Sequence, residues 1–166
     1  EIAVARAALA AGIPFGLAHL STTPMEAVTG STPGLRRWFN IEPVADKSEL
    51  QEMLDRAVAA DYEALLVNVD CRAIGHRERD YRNGFTAPPT LRARTVVEGA
   101  LHPRWALGFL RNDAIAFPNL DGTIPTGPMA SGPGMWRTLL AGSYEPTGWD
   151  DIEDLRSRWS GPIVLK

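Results

Sequence analysis

Polar and charged side chains follow directly on an apolar run near the middle of the chain, in the sequence YEALLVNVDCRAIGHRERDYRNGFTAPP. Residues 62–69 lack the 3.6-residue period of an amphipathic helix, and the run therefore predicts a buried parallel strand. Asn68 and Asp70 stand at its end, and a charged group that includes Arg77 comes next. Because loops at the carboxyl ends of parallel strands carry the binding groups of α/β folds, we expect a ligand site here.

The elements around this run alternate between strand and helix patterns. Helix formers and apolar positions at helical spacing predict helices at 1–11, 24–30, 48–58 and 150–161. Short apolar runs predict further strands at 13–20, 37–42 and 162–166. We expect Gly12 to end the first helix, and Thr23, Ser48 and Asp150 to cap the other three. This order implies parallel strands joined by helical crossovers.

A long stretch between the third and last strands breaks the pattern. Residues 71–148, about 80 in number, far exceed an ordinary loop between strand and helix, so we interpret them as an insertion. Short helices are expected at 92–100 and 103–111. The Gly, Pro, Ser and Thr content of 119–134 is typical of a mobile segment.

Composition limits the classes of function. With 166 residues, 45% of them hydrophobic, the chain is long enough for one domain with a core. A net charge of −3, with scattered Lys and Arg, gives no support for nucleic-acid binding. The single Cys71 excludes an internal disulfide and suits the cytoplasm, where we expect the protein to be located. No apolar run approaches the roughly 20 residues of a membrane span.

Several blocks of the sequence resemble one enzyme family. GIPFGLAHLSTTPMEAV, HPRWALGFL, GWDDIEDLRSRWSGPIVLK and above all the GxRExDxRNGFxxPP pattern are similar to FMN-dependent 2-hydroxy-acid oxidases and dehydrogenases. The resemblance implies an α/β fold that is part of a (β/α)8 TIM barrel, from the first barrel helix to the fifth strand. Residues 1–166 would form an incomplete FMN-dependent barrel domain, with 71–148 as an extended loop or lid after the fourth strand.

The resemblance also implies roles for individual residues. Lys166 corresponds to a Lys that stabilises negative charge on the reduced flavin and is the expected catalytic residue. Arg77 corresponds to an Arg that binds the substrate carboxylate. Ala18, Asn40 and Asn68 stand where the family has a flavin-contacting Ser, Gln and Thr, and they are the expected cofactor-binding residues together with Lys166.

Glu42 is the largest departure from the family pattern. It replaces a Tyr that contacts substrate, so we interpret Glu42 as a substrate-binding residue whose charge opposes a simple carboxylate substrate. Structural interpretations remain open beside these. Glu42 would equally suit a salt bridge with Arg77, and Arg77 a pair with Glu78 or Asp80. A lone His such as His19 is more often structural than a ligand contact.

Two functions of different classes follow. The first is an FMN-dependent oxidoreductase that oxidises a 2-hydroxy acid, in which this chain supplies part of the active site. The second is a non-catalytic, barrel-derived binding or assembly subunit that has lost flavin chemistry. For the first, we expect a small-molecule substrate, a homo-oligomer, and the missing half of the barrel from the same or another chain. A metal-dependent barrel using Asp70, Glu42 and His76 has too few ligands, and no metal site is expected.

Overall fold

The structure is a computed structural model that describes residues 1–42, 47–70, 78–84, 93–111, 117–120 and 147–166. It consists of two compact units. The first comprises Glu1–Arg72, Phe117–Ile124 and Gly142–Lys166, and the second comprises Ala73–Ala116 and Pro125–Ala141. Arg77, Asp46 and 121–146 lie outside the described residues, together with the other gaps between these ranges.

The first unit is a parallel sheet covered by helices, in the order that the sequence predicts. The strands are β1 (Phe15–Ala18), β2 (Arg37–Ile41), β3 (Ala64–Val67) and β4 (Ile163–Leu165), and they lie side by side in that order. The helices are α1 (Ile2–Ala11), α2 (Met25–Ser31), α3 (Lys47–Ala59) and α7 (Trp149–Arg158). All three strand pairs are parallel, which confirms the predicted α/β class.

One face of the sheet packs against the helices. Along β2, Arg37, Phe39 and Ile41 are buried, whereas Trp38 and Asn40 between them are partly exposed. The register places Leu17 and Leu65 beside Phe39 on the buried face. Helix residues complete the core, chiefly Ala5, Met25, Val28, Leu50, Met53, Leu54, Ala57 and Leu155. Each fully buried large side chain contributes about 1.5–3 kcal/mol, so this face supplies most of the unit's stability.

The first helix ends as the sequence predicts. Gly12 has the left-handed conformation, with φ 69° and ψ 24°. Its backbone N–H donates to Leu9 O at 3.1 Å, and the N–H of Ile13 donates to Ala8 O at 3.1 Å. A residue with a Cβ pays a steric penalty at such a φ, so glycine is the residue that suits this stop.

The predicted capping of α2 by Thr23 is wrong. The Thr23 hydroxyl donates instead to the Glu1 carboxylate at 2.7 Å. The side chain of Asn119 caps this helix from a distant part of the chain, because its Oδ1 accepts the Met25 N–H at 2.9 Å. Its Nδ2 donates to Thr23 O at 3.0 Å. Asn119 is fully buried, so the mobility expected from residue 119 onward is also wrong at that residue.

Arg56 holds the segment that contains Asn119. Its Nη1 donates to Pro118 O at 3.1 Å and to Asn119 O at 3.5 Å. Its Nε and Nη2 donate to the Glu26 carboxylate at 2.9 and 3.1 Å. The guanidinium accordingly lowers the pKa of Glu26 from its usual value. We name residues 117–120, held by Arg56 and by the start of α2, the Asn119 anchor.

The other two predicted caps are displaced. Helix α3 begins at Lys47, so Ser48 lies inside its first turn. Helix α7 begins at Trp149, and the Asp151 carboxylate, not Asp150, accepts the Gly148 N–H at 3.0 Å. An acidic residue in the first turn of each helix still interacts favourably with the helix dipole. The two wrong cap predictions therefore move the start of a helix, whereas the helices themselves are present as predicted.

Gly161 lies just before β4, where the chain comes close to the start of the neighbouring strand β3. A Cβ on Gly161 would lie 2.5 Å from Glu63 O and 2.8 Å from Trp159 Nε1. The sequence predicts Gly161 as a helix stop, but α7 already ends at Arg158. Its small size instead lets the chain pass close to the start of β3, and β4 then pairs with Leu65–Val67.

The second unit contains short helices. They are α4 (Glu78–Arg82), α5 (Ala93–Ala100) and α6 (Pro103–Arg111), and the last two confirm the helices predicted at 92–100 and 103–111. The apolar side chains of Val96, Val97, Leu101, Trp105 and Leu107, which lie on or between α5 and α6, are exposed.

Across the described ranges of the chain, no helix combines the length and the apolar character needed to cross a membrane. The interpretation of 71–148 as an insertion or lid stays a prediction.

Candidate active site

Five of the six predicted site residues lie at one edge of the sheet, the edge that the carboxyl ends of the four strands form. The register pairs Ala18 with Asn40, and Asn40 with Leu66. Successive side chains of a strand alternate between faces, so Glu42 shares a face with Asn40, and Asn68 shares it with Leu66. Lys166 follows β4 in the same register, since its N–H donates to Val67 O at 2.8 Å.

Backbone hydrogen bonds continue past the ends of the strands and order this edge. The N–H of His19 donates to Asn40 O at 2.8 Å, and the N–H of Asn68 donates to Ile41 O at 3.0 Å. The N–H of Val69 donates to Lys166 O at 2.9 Å. The predicted residues are thus held by the sheet itself, on the face opposite the helical core. We name Ala18, Asn40, Glu42, Asn68 and Lys166 the strand-end site.

Asn68 and Glu42 form a polar pair within the strand-end site. Asn68 Nδ2 donates to Glu42 Oε1 at 3.2 Å. This contact orients the Asn68 amide, because a carboxylate accepts hydrogen bonds and cannot donate them when ionised. Asn68 Oδ1 is then left buried without a partner among the described residues. Asn40 Oδ1 is likewise buried and unpartnered there.

His19 lies beside this edge and is 4% exposed. Within the described ranges its Nδ1 has no hydrogen-bond partner. Burial lowers the pKa of His19 from its usual value, whereas the Glu42 charge and the hydrogen bond with the Asn40 backbone oppose that shift. His19 is therefore a buried residue whose protonated form the nearby Glu42 charge favours.

The remaining predicted residues with a charged side chain are Lys166 and Arg77. Lys166 is exposed. Arg77 lies outside the described residues, so neither its substrate role nor its pairing with Glu42 is tested. Glu78 forms an exposed pair with Arg82 at 2.8 Å. Among the described residues, no group of three His, Cys, Asp or Glu side chains could hold a metal ion.

The donor set of the strand-end site suits the flavin that the resemblance implies. The pyrimidine edge of a flavin offers both an N–H donor and carbonyl acceptors, and carboxamides can pair with both. Among the residues that the structure describes, the buried oxygens of Asn40 and Asn68 have no donor, and a flavin would supply donors of this kind; an unsatisfied buried acceptor costs about 1–3 kcal/mol. Asn40, Asn68 and Lys166 would hold the flavin ring, and Ala18 would pack against it.

Sequence reasoning missed Asn119, which anchors the chain beside the start of α2. Asn119 and the helix that it caps are separated by 94 residues. A capping motif in the sequence is local, within three or four residues, so no signal pointed to this contact.

Comparison with known proteins identifies relatives. The family model for FMN-dependent dehydrogenases matches residues 1–166. An L-lactate dehydrogenase of Xanthomonas campestris pv. campestris (strain B100) is 35% identical over 173 residues, which cover 100% of this chain and 42% of that protein. An L-lactate dehydrogenase of Xanthomonas oryzae pv. oryzae (strain PXO99A) is 34% identical over 175 residues, with the same coverage of 100% and 42%.

A solved structure shares the fold. The crystal structure of the monotopic membrane protein (S)-mandelate dehydrogenase superposes with a TM-score of 0.81 at 29% identity, covering 99% of this chain and 43% of that one. The chain thus spans about two-fifths of the length of the relatives it matches. Such neighbours are complete TIM-barrel enzymes, which confirms the predicted partial (β/α)8 barrel. The chain belongs to the FMN-dependent dehydrogenase family, as its sequence motifs predict.

Proposed function

We propose that the strand-end site is part of the active site of an FMN-dependent enzyme that oxidises a 2-hydroxy acid. The observation that carries this proposal is the placement of Ala18, Asn40, Asn68 and Lys166 on one face at one edge of the sheet. Relatives named for lactate and mandelate oxidation support the substrate class. They also favour the enzyme over a non-catalytic subunit.

Each residue has a distinct task in this proposal. FMN supplies the two-electron chemistry when it is bound. The Asn40 and Asn68 amides bind the polar edge of its ring and fix its orientation. The Lys166 ammonium stabilises the negative charge that develops at that edge during substrate oxidation. Arg77 binds the substrate carboxylate and orients the hydroxyl-bearing carbon.

The proton acceptor for this reaction is proposed to lie in the rest of the barrel. The resemblance implies a catalytic His beyond the fifth strand, and the chain spans about two-fifths of its relatives. We expect the 166 residues by themselves to give no turnover with L-lactate, because the group that removes the proton is absent. Combining them with a polypeptide that supplies the other half of the barrel should produce activity. Sustained turnover by the 166 residues alone would contradict this division.

Lys166→Met tests the proposal in the natively expressed protein that carries these residues. Loss of a positioned charge that stabilises the transition state costs about 10²–10³ in rate, so flavin reduction by L-lactate should slow by that factor. The flavin's reduction potential should also fall, because the reduced, anionic form loses its stabilising cation. Anaerobic stopped-flow absorbance and a dye-coupled potential titration measure the two effects.

Lys47→Met is the matched control. Lys47 lies on α3 in exposed salt bridges with Asp151 at 3.4 Å and Asp154 at 3.1 Å. Its loss should leave both the rate and the potential unchanged. Equal effects of the two substitutions would exclude a role for Lys166 at the flavin.

The alternative of a non-catalytic subunit is motivated by Ala18, Asn40 and Glu42, which depart from the family pattern. This alternative predicts a colourless protein that takes up no added FMN. Absorbance between 350 and 500 nm, measured after incubation with FMN and gel filtration, distinguishes the two functions. A bound flavin that L-lactate or mandelate bleaches supports the enzyme.

We propose in addition that the protein is a cytoplasmic homo-oligomer. The single Cys71 supports the location, and exposed apolar side chains such as Val4 and Ile13 support association between copies. Detergent-free cell fractionation followed by light scattering tests both statements. Recovery with the membrane fraction, or a monomer mass, would contradict them.

A further inference from the structure

A cavity of about 440 Å³ lies at the amino ends of the strands, at the edge of the sheet opposite the strand-end site. Most of the residues that line it come directly before β2, β3 or β4, and all of them belong to the first unit. Its lining combines three exposed side chains with three buried polar ones, namely Val58, Asp61 and Glu63 with Arg37, Tyr62 and Trp159. We name this space the amino-end cavity.

Arg37 brings a buried positive charge to the amino-end cavity. Its residue is 6% exposed, and its Nη1 donates to Thr32 O at 3.1 Å. Within the described ranges of the chain, no carboxylate forms an ion pair with Arg37, and its Nε has no hydrogen-bond partner. A charge that is buried without a counter-ion is costly, because nothing offsets its lost hydration. The Nε edge of a guanidinium is suited to a carboxylate or phosphate oxygen.

Two more buried side chains at the cavity carry polar atoms that have no partner in the described part of the chain. Tyr62 is 4% exposed and Trp159 is 3% exposed, and the atoms concerned are the Tyr62 hydroxyl oxygen and Trp159 Nε1. The guanidinium carbon of Arg37 lies 6.0 Å from the centre of the Tyr62 ring. An indole N–H can only donate a hydrogen bond, and a tyrosine hydroxyl can donate one as well. Two donors thus accompany a positive charge, which is a combination that suits an anion.

Gly161 leaves space beside the indole nitrogen. A Cβ at Gly161 would lie 2.8 Å from Trp159 Nε1, so a larger residue would occupy the space next to that N–H. The backbone fixes the neighbouring part of the cavity, because the N–H of Glu63 donates to Arg37 O at 2.8 Å. The donors are therefore held by the starts of the strands.

Two exposed carboxylates that also line the cavity limit the charge of a ligand. Glu63 pairs with Arg36 at 3.0 Å, and Asp61 is exposed in the turn before β3. Both side chains repel a further negative charge, and this repulsion grows with the charge of the ligand. A monoanion is consequently favoured over a dianion.

We propose that the amino-end cavity is a binding site for a small monocarboxylate. The carboxylate oxygens accept hydrogen bonds from Arg37 Nε, Trp159 Nε1 and the Tyr62 hydroxyl, and the ligand supplies the counter-ion of the buried guanidinium. The site lies at the opposite edge of the sheet from the proposed active site and goes beyond the proposed function.

Calorimetric titration of the natively expressed protein with sodium acetate at pH 7.5 tests this proposal. We expect a Kd on the order of 1 mM, which is within the range of so small a ligand. Inorganic phosphate, largely a dianion at this pH, should bind at least about tenfold more weakly because Asp61 and Glu63 repel it. Absence of acetate binding, or phosphate binding as tight as that of acetate, overturns the proposal.

Substitutions locate the binding. Arg37→Met should abolish it, whereas Arg6→Met, which removes the same charge from the exposed surface of α1, should leave the Kd unchanged. Tyr62→Phe removes only a hydroxyl, so its fold should persist even where Arg37→Met does not fold. It should raise the Kd for acetate about tenfold, the worth of a hydrogen bond to a charged group. A Kd that Tyr62→Phe does not alter contradicts the proposal.

Arg77→Met distinguishes the amino-end cavity from the proposed substrate site. Because Arg77 is the proposed ligand of the substrate carboxylate, its loss should leave acetate binding at the cavity in place. Binding that is lost in Arg77→Met and retained in Tyr62→Phe would assign the anion to the strand-end site and overturn the inference. Flavin reduction by L-lactate tests the proposed function separately, so either proposal can fail without the other.

Discussion

At the scale of single residues, His19 combines burial with a neighbouring charge. Its side chain is 4% exposed, and burial disfavours its protonated form. The Glu42 carboxylate and the Asn40 backbone favour that form, but less strongly than burial disfavours it. His19 is consequently neutral in the folded protein at pH 7, with a pKa below the usual value of 6.5.

This arrangement predicts a pH dependence of stability. The unfolded chain binds a proton near pH 6.5, whereas the folded chain binds it only at lower pH. The contribution of neutral His19 to the free energy of unfolding is therefore complete above pH 6.5 and is lost as pH falls below it. The loss is at most about 1.4 kcal/mol per pH unit. Urea unfolding between pH 7.5 and 5.5 measures it.

His19→Asn provides the comparison, because Asn is polar and does not titrate in this range. We expect its free energy of unfolding to vary less between pH 7.5 and 5.5 than that of the unsubstituted protein. Identical pH slopes for the two proteins would show that His19 titrates alike in the folded and unfolded states.

The sequence predicts the position of the strand-end residues, because family motifs locate them at strand ends and strand alternation then brings them to one face. Their roles at a flavin stay a prediction. It could not predict the contact between Asn68 and Glu42. That contact depends on side-chain conformations across two strands whose sequence positions lie 26 residues apart. The burial of the Asn40 and Asn68 oxygens, which have no partner in the described part of the chain, is equally a product of packing, and no local pattern reveals it.

At the scale of elements, the Asn119 anchor shows why a local capping motif can mislead. Thr23, Pro24 and Glu26 have the types and spacing of an N-cap motif, yet Thr23 pairs with Glu1 and Glu26 pairs with Arg56. The two side chains that this N-cap motif requires, those of Thr23 and Glu26, therefore bind residues that are distant in the sequence. The start of α2 is buried and is capped by Asn119, whose Oδ1 accepts the Met25 N–H.

Asn119→Ala should destabilise the first unit by about 1–3 kcal/mol. The substitution removes a helix cap and leaves the Met25 N–H without its partner in a buried site, whereas Thr23 O keeps the Ser21 hydroxyl at 3.2 Å. Asn119→Asp should also destabilise the unit, because an ionised carboxylate still accepts the Met25 N–H but cannot donate to Thr23 O and is costly to bury. Urea unfolding followed by circular dichroism measures both values.

Asn83→Ala is the control for this prediction. Asn83 is exposed in the second unit, so its loss should change the free energy of unfolding by less than about 0.5 kcal/mol. A loss at Asn119 no larger than that at Asn83 would mean that the anchor does not stabilise α2.

At the scale of the whole molecule, the order of strands and helices could be predicted because each element carries its own periodicity. The sequence predicts one apolar face of α3 from Leu50, Met53, Leu54, Ala57 and Val58. The first four are buried, whereas Val58 is exposed, so the predicted face is one residue too wide. Element boundaries were less accurate, by one or two residues at the starts of α3 and α7. Boundaries depend on which hydrogen bonds the flanking residues find, and those are set by tertiary contacts.

One face of the sheet in this partial barrel does not pack on the helices. Trp38, Asn40, Leu66 and Val164 occupy the side of the sheet that does not pack on the helices. In a closed barrel this side is the interior, filled by side chains from all strands. The face that carries the proposed chemistry is thus the face that the other strands would cover, so catalytic competence and barrel closure are coupled.

The Asn119 anchor divides the chain between β3 and α7 into two segments, one before residues 117–120 and one after them. The entropic cost of closing a loop rises only slowly with its length, by about 0.6 kcal/mol for each doubling. Because 117–120 is tied to Arg56 and α2, each segment begins and ends on the first unit and is shorter than the whole stretch between β3 and α7. A moderate change in the length of either segment should therefore cost little free energy, and the sheet that carries the strand-end site should keep its register.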